Sequence, residues 1–168
     1  RAREAGARTL IHTGRLPLAP PAAAAADVSL ANLIHRGKPD GLIISTGPEE
    51  DEALPPIVEM VRALLGKIPL LGLSTGHQII CRALGGRVHK MKVGHHGANY
   101  PVTPPSSYRG DITFQNHSWV ADTASIEGIA DLQITLRNGN DLSVEEIASP
   151  SRRLLSAQYY PLSPGFEE

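Results

Sequence analysis

GLSTGHQII, Gly72–Ile80, is the stretch that decides the fold. It follows IPLL and reads as the end of a buried strand, a tight turn and the start of a helix. Ser74 stands at the corner, and G-L-S-T-G fits the G-x-S-x-G pattern that displays a nucleophile on a sharp strand-to-helix turn. Upstream, DGLIIST (Asp40–Thr46) is a second continuous apolar run, the texture of a strand buried on both faces. Between them, ALPPIVEMVRALLG carries apolar residues at helical spacing, with Pro55 and Pro56 tolerable in a first turn. ARTLIHT (Ala7–Thr13) reads as a strand after the short helix RAREAGAR. VSLANLIHRG reads as a helix capped by Asp27. Helices and strands alternate as far as Gly86, which implies a parallel sheet.

Beyond Gly86 the texture changes. RVHKMK, DITFQ, LQITLR, LSVEEIA and LLSAQYY read as short strands, and RNGND is a hairpin signal. At 168 residues and 41% hydrophobic, the chain is expected to form one domain with a proper core. A net charge of −1 argues against a nucleic-acid partner and against a polybasic membrane contact. No apolar run has transmembrane length and no signal peptide is evident. A single cysteine, Cys81, excludes an internal disulfide and favours a reducing, intracellular compartment. The chain opens at Arg1 inside a helical pattern and stops abruptly at Glu168, so residues 1–168 are expected to be a domain truncated at both ends.

Ligands of open parallel sheets collect at the carboxyl ends of the strands. Two such ends are STGPEEDE and LSTGHQ. Backbone N–H groups from Thr75 onward, with that of Gly47 from the neighbouring loop, are placed to stabilise an oxyanion. The residues alone therefore describe an acyl-transfer site with a hydroxyl as nucleophile. A serine hydrolase competes as a reading, but it needs a base beside Ser74.

GLIISTGPEEDE, PLLGLSTGHQIICRALGGRVHKMKVGHHGANYPV, FQNHSWVAD, RNGND and SAQYYPLSPG occur in this order, spanning almost the whole chain. Together they resemble the glutaminase domain of the carbamoyl phosphate synthetase small subunit, a class I (triad-type) glutamine amidotransferase. The resemblance implies a three-layer, flavodoxin-like α/β fold with a mostly parallel central sheet and a short antiparallel segment in the second half. It implies that the first strand is missing ahead of RAREAGAR, and that preceding residues or another chain cover that edge. It also implies a cysteine nucleophile, a histidine that activates it and a glutamate that orients the histidine. In this sequence the first two positions hold Ser74 and Tyr160, and the third holds Leu162 or is lost to a one-residue deletion before SPG. Gly47 and Thr75 match the oxyanion positions and Gln78 a glutamine-binding side chain. Asn116, Ser118 and Trp119 match the segment whose backbone grips the substrate's amino-acid end, with Ser118 and Trp119 where the family has Gly-Phe. Glu49 replaces a family glycine and adds bulk and charge beside the pocket.

Serine is far less acidic than cysteine and needs a strong base; tyrosine is a poor one at neutral pH. The expected function is therefore a glutaminase-like domain that no longer hydrolyses glutamine, kept as a structural or regulatory subunit of a larger assembly, with a synthetase-like large subunit as partner. The alternative is a working glutaminase feeding ammonia to carbamoyl phosphate synthesis. The reading assigns no cofactor and no metal. His89, His95 and His96 lack a ligand spacing, and GHHGAN is expected to be a structural loop. His117 reads as a hydrogen-bonded loop residue rather than a base. Cys81, two helical turns past Ser74, reads as a small buried apolar residue. Glu49–Glu52 read as carboxylates complementing a helix dipole, and Pro17–Ala26 as a surface loop. A mitochondrial setting follows only from a likeness to the ammonia-dependent animal synthetases, which also carry Ser-Thr-Gly at this turn.

Overall fold

The computed structural model describes residues 9–12, 39–50, 54–107 and 109–161. The apolar runs form the strands β1 (Thr9–His12), β2 (Gly41–Ile44) and β3 (Leu70–Leu73), with helix α1 (Leu54–Leu64) between the last two. Helix α2 (Thr75–Ala83) follows directly. The second half supplies β4 (Val88–Thr103), β5 (Asp111–Ala121), α3 (Thr123–Glu127), β6 (Gln133–Asn138), β7 (Val144–Ser149) and β8 (Leu154–Ala157). All eight strands join one sheet in the order β1-β2-β3-β8-β7-β6-β4-β5. The pairs β1–β2, β2–β3 and β3–β8 are parallel, and every pairing from β8 outward through β7, β6, β4 and β5 is antiparallel.

The α/β class and mixed sheet agree with the sequence reading, but the antiparallel part is not short. β4 runs for 16 residues and β5 for 11. GHHGAN is not a loop, because it lies within β4, and His117 lies within β5. The reason is visible in the register, which shifts between Lys90 and His95 and again between Gly97 and Tyr100. Each bulge flips the in–out alternation, so a long strand loses the period-two signature that identifies it in sequence. RNGND forms the expected hairpin between β6 and β7, closed by Asn138 N–H donating to Ser143 O at 3.0 Å. The segments RAREAGAR, Pro17–Ala26 and VSLANLIHRG, together with Leu162, lie outside the described residues or, for Leu162 and the residues after it, past the last described position.

The core sits where α1 and α2 meet β2, β3 and β8. α1 buries Leu54, Ile57, Val58 and Val61, one face at i, i+3, i+4, i+7 spacing. These pack with Leu42, Ile44, Leu70, Ile79, Ile80 and Leu154. Pro55 and Pro56 fall in the first turn of α1, where no intrahelical N–H is lost. Arg62, in the last turn of the same helix, donates to Ala83 O and Arg82 O, both at 3.1 Å, which ties α1 to the end of α2. The corner residue Ser74 is thereby held between a buried strand and a helix that is buried almost throughout.

Candidate active site

The turn at Ser74 has φ 54° and ψ −112°, a conformation that a non-glycine residue adopts at a cost of about 1–3 kcal/mol. The glycines two residues to either side make it possible. A Cβ at Gly76 would lie 2.0 Å from Ile44 O, and one at Gly72 would lie 2.6 Å from Ile80 Cδ1 and 2.8 Å from Gly76 O. The G-x-S-x-G spacing thus records a helix pressed against two strands. Ser74 N–H donates to Ala157 O at 2.8 Å, tying the corner to β8, and Ser74 O accepts from His77 N–H at 2.9 Å. The first-turn N–H groups of Thr75 and Gly76 have no acceptor within the helix, as at any helix start.

The structure brings Gly47, Thr75 and Gln78 together at this corner. Gly47 N–H, expected to face an oxyanion, is committed to Thr75 Oγ1 at 3.1 Å, and the Thr75 hydroxyl donates to Gly47 O at 2.5 Å. Glu49 reaches into the space beside Gln78. One carboxylate oxygen, Oε1, accepts from Gln78 Nε2 at 2.6 Å and from Trp119 N–H at 3.2 Å, and the other, Oε2, accepts from Ser118 N–H at 2.8 Å. Gln78 is itself buried, its amide also within reach of Trp119 O at 3.2 Å and Gln158 Oε1 at 3.4 Å. Glu50 pairs with Lys90 at 2.7 Å and accepts from Trp119 Nε1 at 3.2 Å. Glu49 and Glu50 thus direct their carboxylate oxygens at donors from α2, β5 and Lys90. Asp51 and Glu52 lie outside the described residues.

The predicted binding residue Asn116 faces the other way. Its Oδ1 meets His96 Nδ1 at 2.8 Å on the exposed side of β5, since neighbouring residues of a strand point to opposite faces. Tyr160 is bridged to Phe114 through its backbone N–H, at 3.0 Å, and its ring lies 5.6 Å from that of Phe114. Among the described residues no hydrogen bond joins Ser74 Oγ to Tyr160 or to any histidine. His117, the base that a serine hydrolase would need, has Nδ1 on Trp119 O at 2.9 Å and Nε2 on Gln115 Oε1 at 3.0 Å. His77 is fully buried with Nδ1 on Ser156 Oγ at 2.9 Å, and burial pushes its pKa down from 6.5 to about 4. Burial pushes the Cys81 thiol up to about 12, so it is neither ionised nor exposed.

A second cluster was not foreseen. The ligand atoms of His95, His117 and Glu145 lie within 4.8 Å of one another, all buried. His95 Nε2 meets Asp141 Oδ2 at 3.0 Å and Glu145 Oε1 accepts from Asn138 Nδ2 at 2.9 Å. Although burial works against it, contact with Glu145 and Asp141 holds His95 above its ordinary pKa. His95 links β4 to Asn138, Asp141 and Glu145 of the β6–β7 hairpin, whereas His117 bonds within β5 and meets the His95 ring edge-on at 4.9 Å, and Glu145 Oε2 is buried with no hydrogen-bond partner among the described residues. Sequence reasoning missed the cluster because its members come from three different strands, β4, β5 and β7, far apart in the chain. It also missed the carboxylate contacts of Glu49, whose partners lie 29 to 70 positions away in the chain.

Residues 8–163 match the family Glutamine amidotransferase class-I. The chain is 45% identical over 130 residues to the chloroplastic carbamoyl phosphate synthase small chain of Oryza sativa subsp. japonica, a match covering 76% of this chain and 28% of that protein. It is 40% identical over 139 residues to the carbamoyl phosphate synthase small chain of Oceanobacillus iheyensis, covering 82% of this chain and 38% of the relative. The chain thus spans about a third of the length of these relatives. In fold it is similar to the glutaminase domain of Trypanosoma brucei CTPS, with a TM-score of 0.61 at 19% identity over 86% of this chain and 69% of the other. Among the described residues no helix is long and apolar enough to cross a membrane. The Oryza relative is chloroplastic, and a mitochondrial setting gains no support from these relatives.

Proposed function

Because the chain belongs to the class I glutamine amidotransferases, we propose that it is an amidotransferase domain of the carbamoyl phosphate synthase small-chain type whose own corner no longer cleaves glutamine. The observation that carries this reading is that Ser74 Oγ has no base hydrogen-bonded to it among the described residues, while every nearby imidazole is engaged elsewhere. A neutral hydroxyl without a proton acceptor is a weak nucleophile, and losing triad members costs on the order of 10⁴–10⁶ in rate. Such a domain serves by docking, with a synthetase-like large subunit as the partner.

A second reading has its own support. The relatives are carbamoyl phosphate synthase small chains, and that kinship favours a working glutaminase supplying ammonia to a synthetase. The comparisons favour this second reading; the chemistry of the corner favours the first. Glutamate release from glutamine, measured for the purified protein and its Ser74→Ala variant, with and without a synthetase large subunit, separates them. The first reading expects no Ser74-dependent release in either setting. Turnover that disappears in Ser74→Ala establishes the second.

A further inference from the structure

Three donors converge beside the corner: Gln78 Nε2, Ser118 N–H and Trp119 N–H. All three are spent on a single carboxylate, at 2.6, 2.8 and 3.2 Å, and that carboxylate belongs to Glu49 of the same chain. Two backbone N–H groups and a buried amide aimed at both oxygens of one carboxylate form a recognition site for that group, since charge-assisted bonds of this kind are short and strong. The loop that delivers Glu49 is fastened on its outer side as well. Glu50 is ion-paired to Lys90 and hydrogen-bonded to the Trp119 indole, and the Arg82 guanidinium lies 5.8 Å from the centroid of the indole ring. On the inner side Gly47 is locked to Thr75 through two hydrogen bonds.

We infer that Glu49 is a built-in occupant of a carboxylate-binding subsite beside Ser74, shutting out a free amino acid or other small carboxylate that the same donors would otherwise bind. The inference rests on the reading of this corner as an amidotransferase pocket, but not on whether Ser74 turns over. Binding of a free carboxylate requires Glu49 to leave, which breaks three hydrogen bonds and moves a loop stapled on both sides. Wild-type protein therefore pays for the ligand with its own side chain, and the apparent affinity falls by the fraction of molecules in which the subsite is open. If that fraction is a tenth or less, removing the carboxylate tightens binding by about tenfold or more.

Trp119 is the only tryptophan in the chain and forms part of the subsite, so its fluorescence reports directly. L-glutamine, L-glutamate and glutarate are titrated into wild type and Glu49→Ala, following fluorescence and, in parallel, heat by calorimetry. Glutamine and glutamate test an amino-acid ligand; glutarate tests a carboxylate alone. The expected result is a saturable signal with at least one probe in Glu49→Ala, about tenfold or more tighter than in wild type. Should that variant fail to fold, Glu49→Gln keeps the side-chain volume but removes the charge and sets its NH₂ against one of the donors, Ser118 N–H or the pair Gln78 and Trp119, whichever way the amide turns, so it too should gain affinity. Equal affinity in wild type and variant, or no binding of any probe to a folded variant, overturns the inference. Glutamate formation by the variant counts against the non-hydrolysing reading alone, so the two claims fail separately.

Discussion

Ser74 is held in a strained backbone conformation, φ 54°, that the chain maintains although no base is bonded to its hydroxyl. Strain of this kind persists only where the surroundings impose it, and here the imposition comes from the packing of α2 against β2 and β3. Restoring the thiol is therefore not expected to restore chemistry. Ser74→Cys should leave glutamate release at background, because the new thiol still lacks a base and Glu49 still fills the neighbouring subsite; an amide-release assay checks this. A different residue-scale effect belongs to His77. Its pKa is pushed down by burial to about 4, so the folded form keeps the ring neutral while the unfolded chain protonates below about pH 6.5. Its stabilising contribution is complete above pH 6.5 and is lost as pH falls toward 4, amounting to about 2 kcal/mol by pH 5. His117, also lowered chiefly by burial, acts in the same direction. His95 acts in the opposite one: its raised pKa stabilises the fold at low pH, and that contribution is lost as pH rises through the folded value. Urea midpoints at pH 7 and pH 5 should fall more steeply for wild type than for His77→Gln, the difference isolating the one ring.

At the scale of elements, the corner depends on close approach. Gly76→Ala places a methyl 2.0 Å from a backbone oxygen of β2, which no rotamer can relieve, so helix and strand must separate. The expected loss is about 3 kcal/mol or more, read as a large drop in the urea midpoint or as failure to fold. The exposed Gly128, where a Cβ would meet nothing within 4 Å, gives the matching control. The elements themselves were unevenly legible. β2, β3, α1 and the start of α2 stand out because burial on a face or on both sides writes a simple apolar period. β4 does not, because two bulges break its alternation and place His95 and His96 inside a strand that reads as a loop. Glu49 is half legible for a different reason. The resemblance sets it at a family glycine beside the pocket, but its bonding partners come from α2 and β5 and leave no local pattern.

Across the molecule, the sheet divides into a parallel half around the corner and an antiparallel half that carries β5 to the far edge. The parallel half is the better buried, with Leu42, Ile44, Leu70 and Leu154 all under 5% exposed, whereas Val93 and Ile112 on β4 and β5 are 80% and 63% exposed. Amide exchange should follow this division. The N–H groups of Leu42, Leu70 and Ser74, bonded to Pro69, Arg153 and Ala157, are expected to exchange only through global opening, while residues 93–100 around the bulges exchange sooner. Peptide-resolved hydrogen exchange checks this, and equal protection across both halves would contradict it. By itself the sequence determined the α/β class, the strand-to-helix corner at Ser74 and the family, because these are written in local periodicity and in short contiguous motifs. Only the tertiary structure decided the extent of the antiparallel sheet, the buried contacts of His95 with Glu145 and the three donors gathered on the Glu49 carboxylate. Each of those depends on contacts between residues far apart in the chain, and long-range pairing of charges and strand edges leaves no pattern in neighbouring residues.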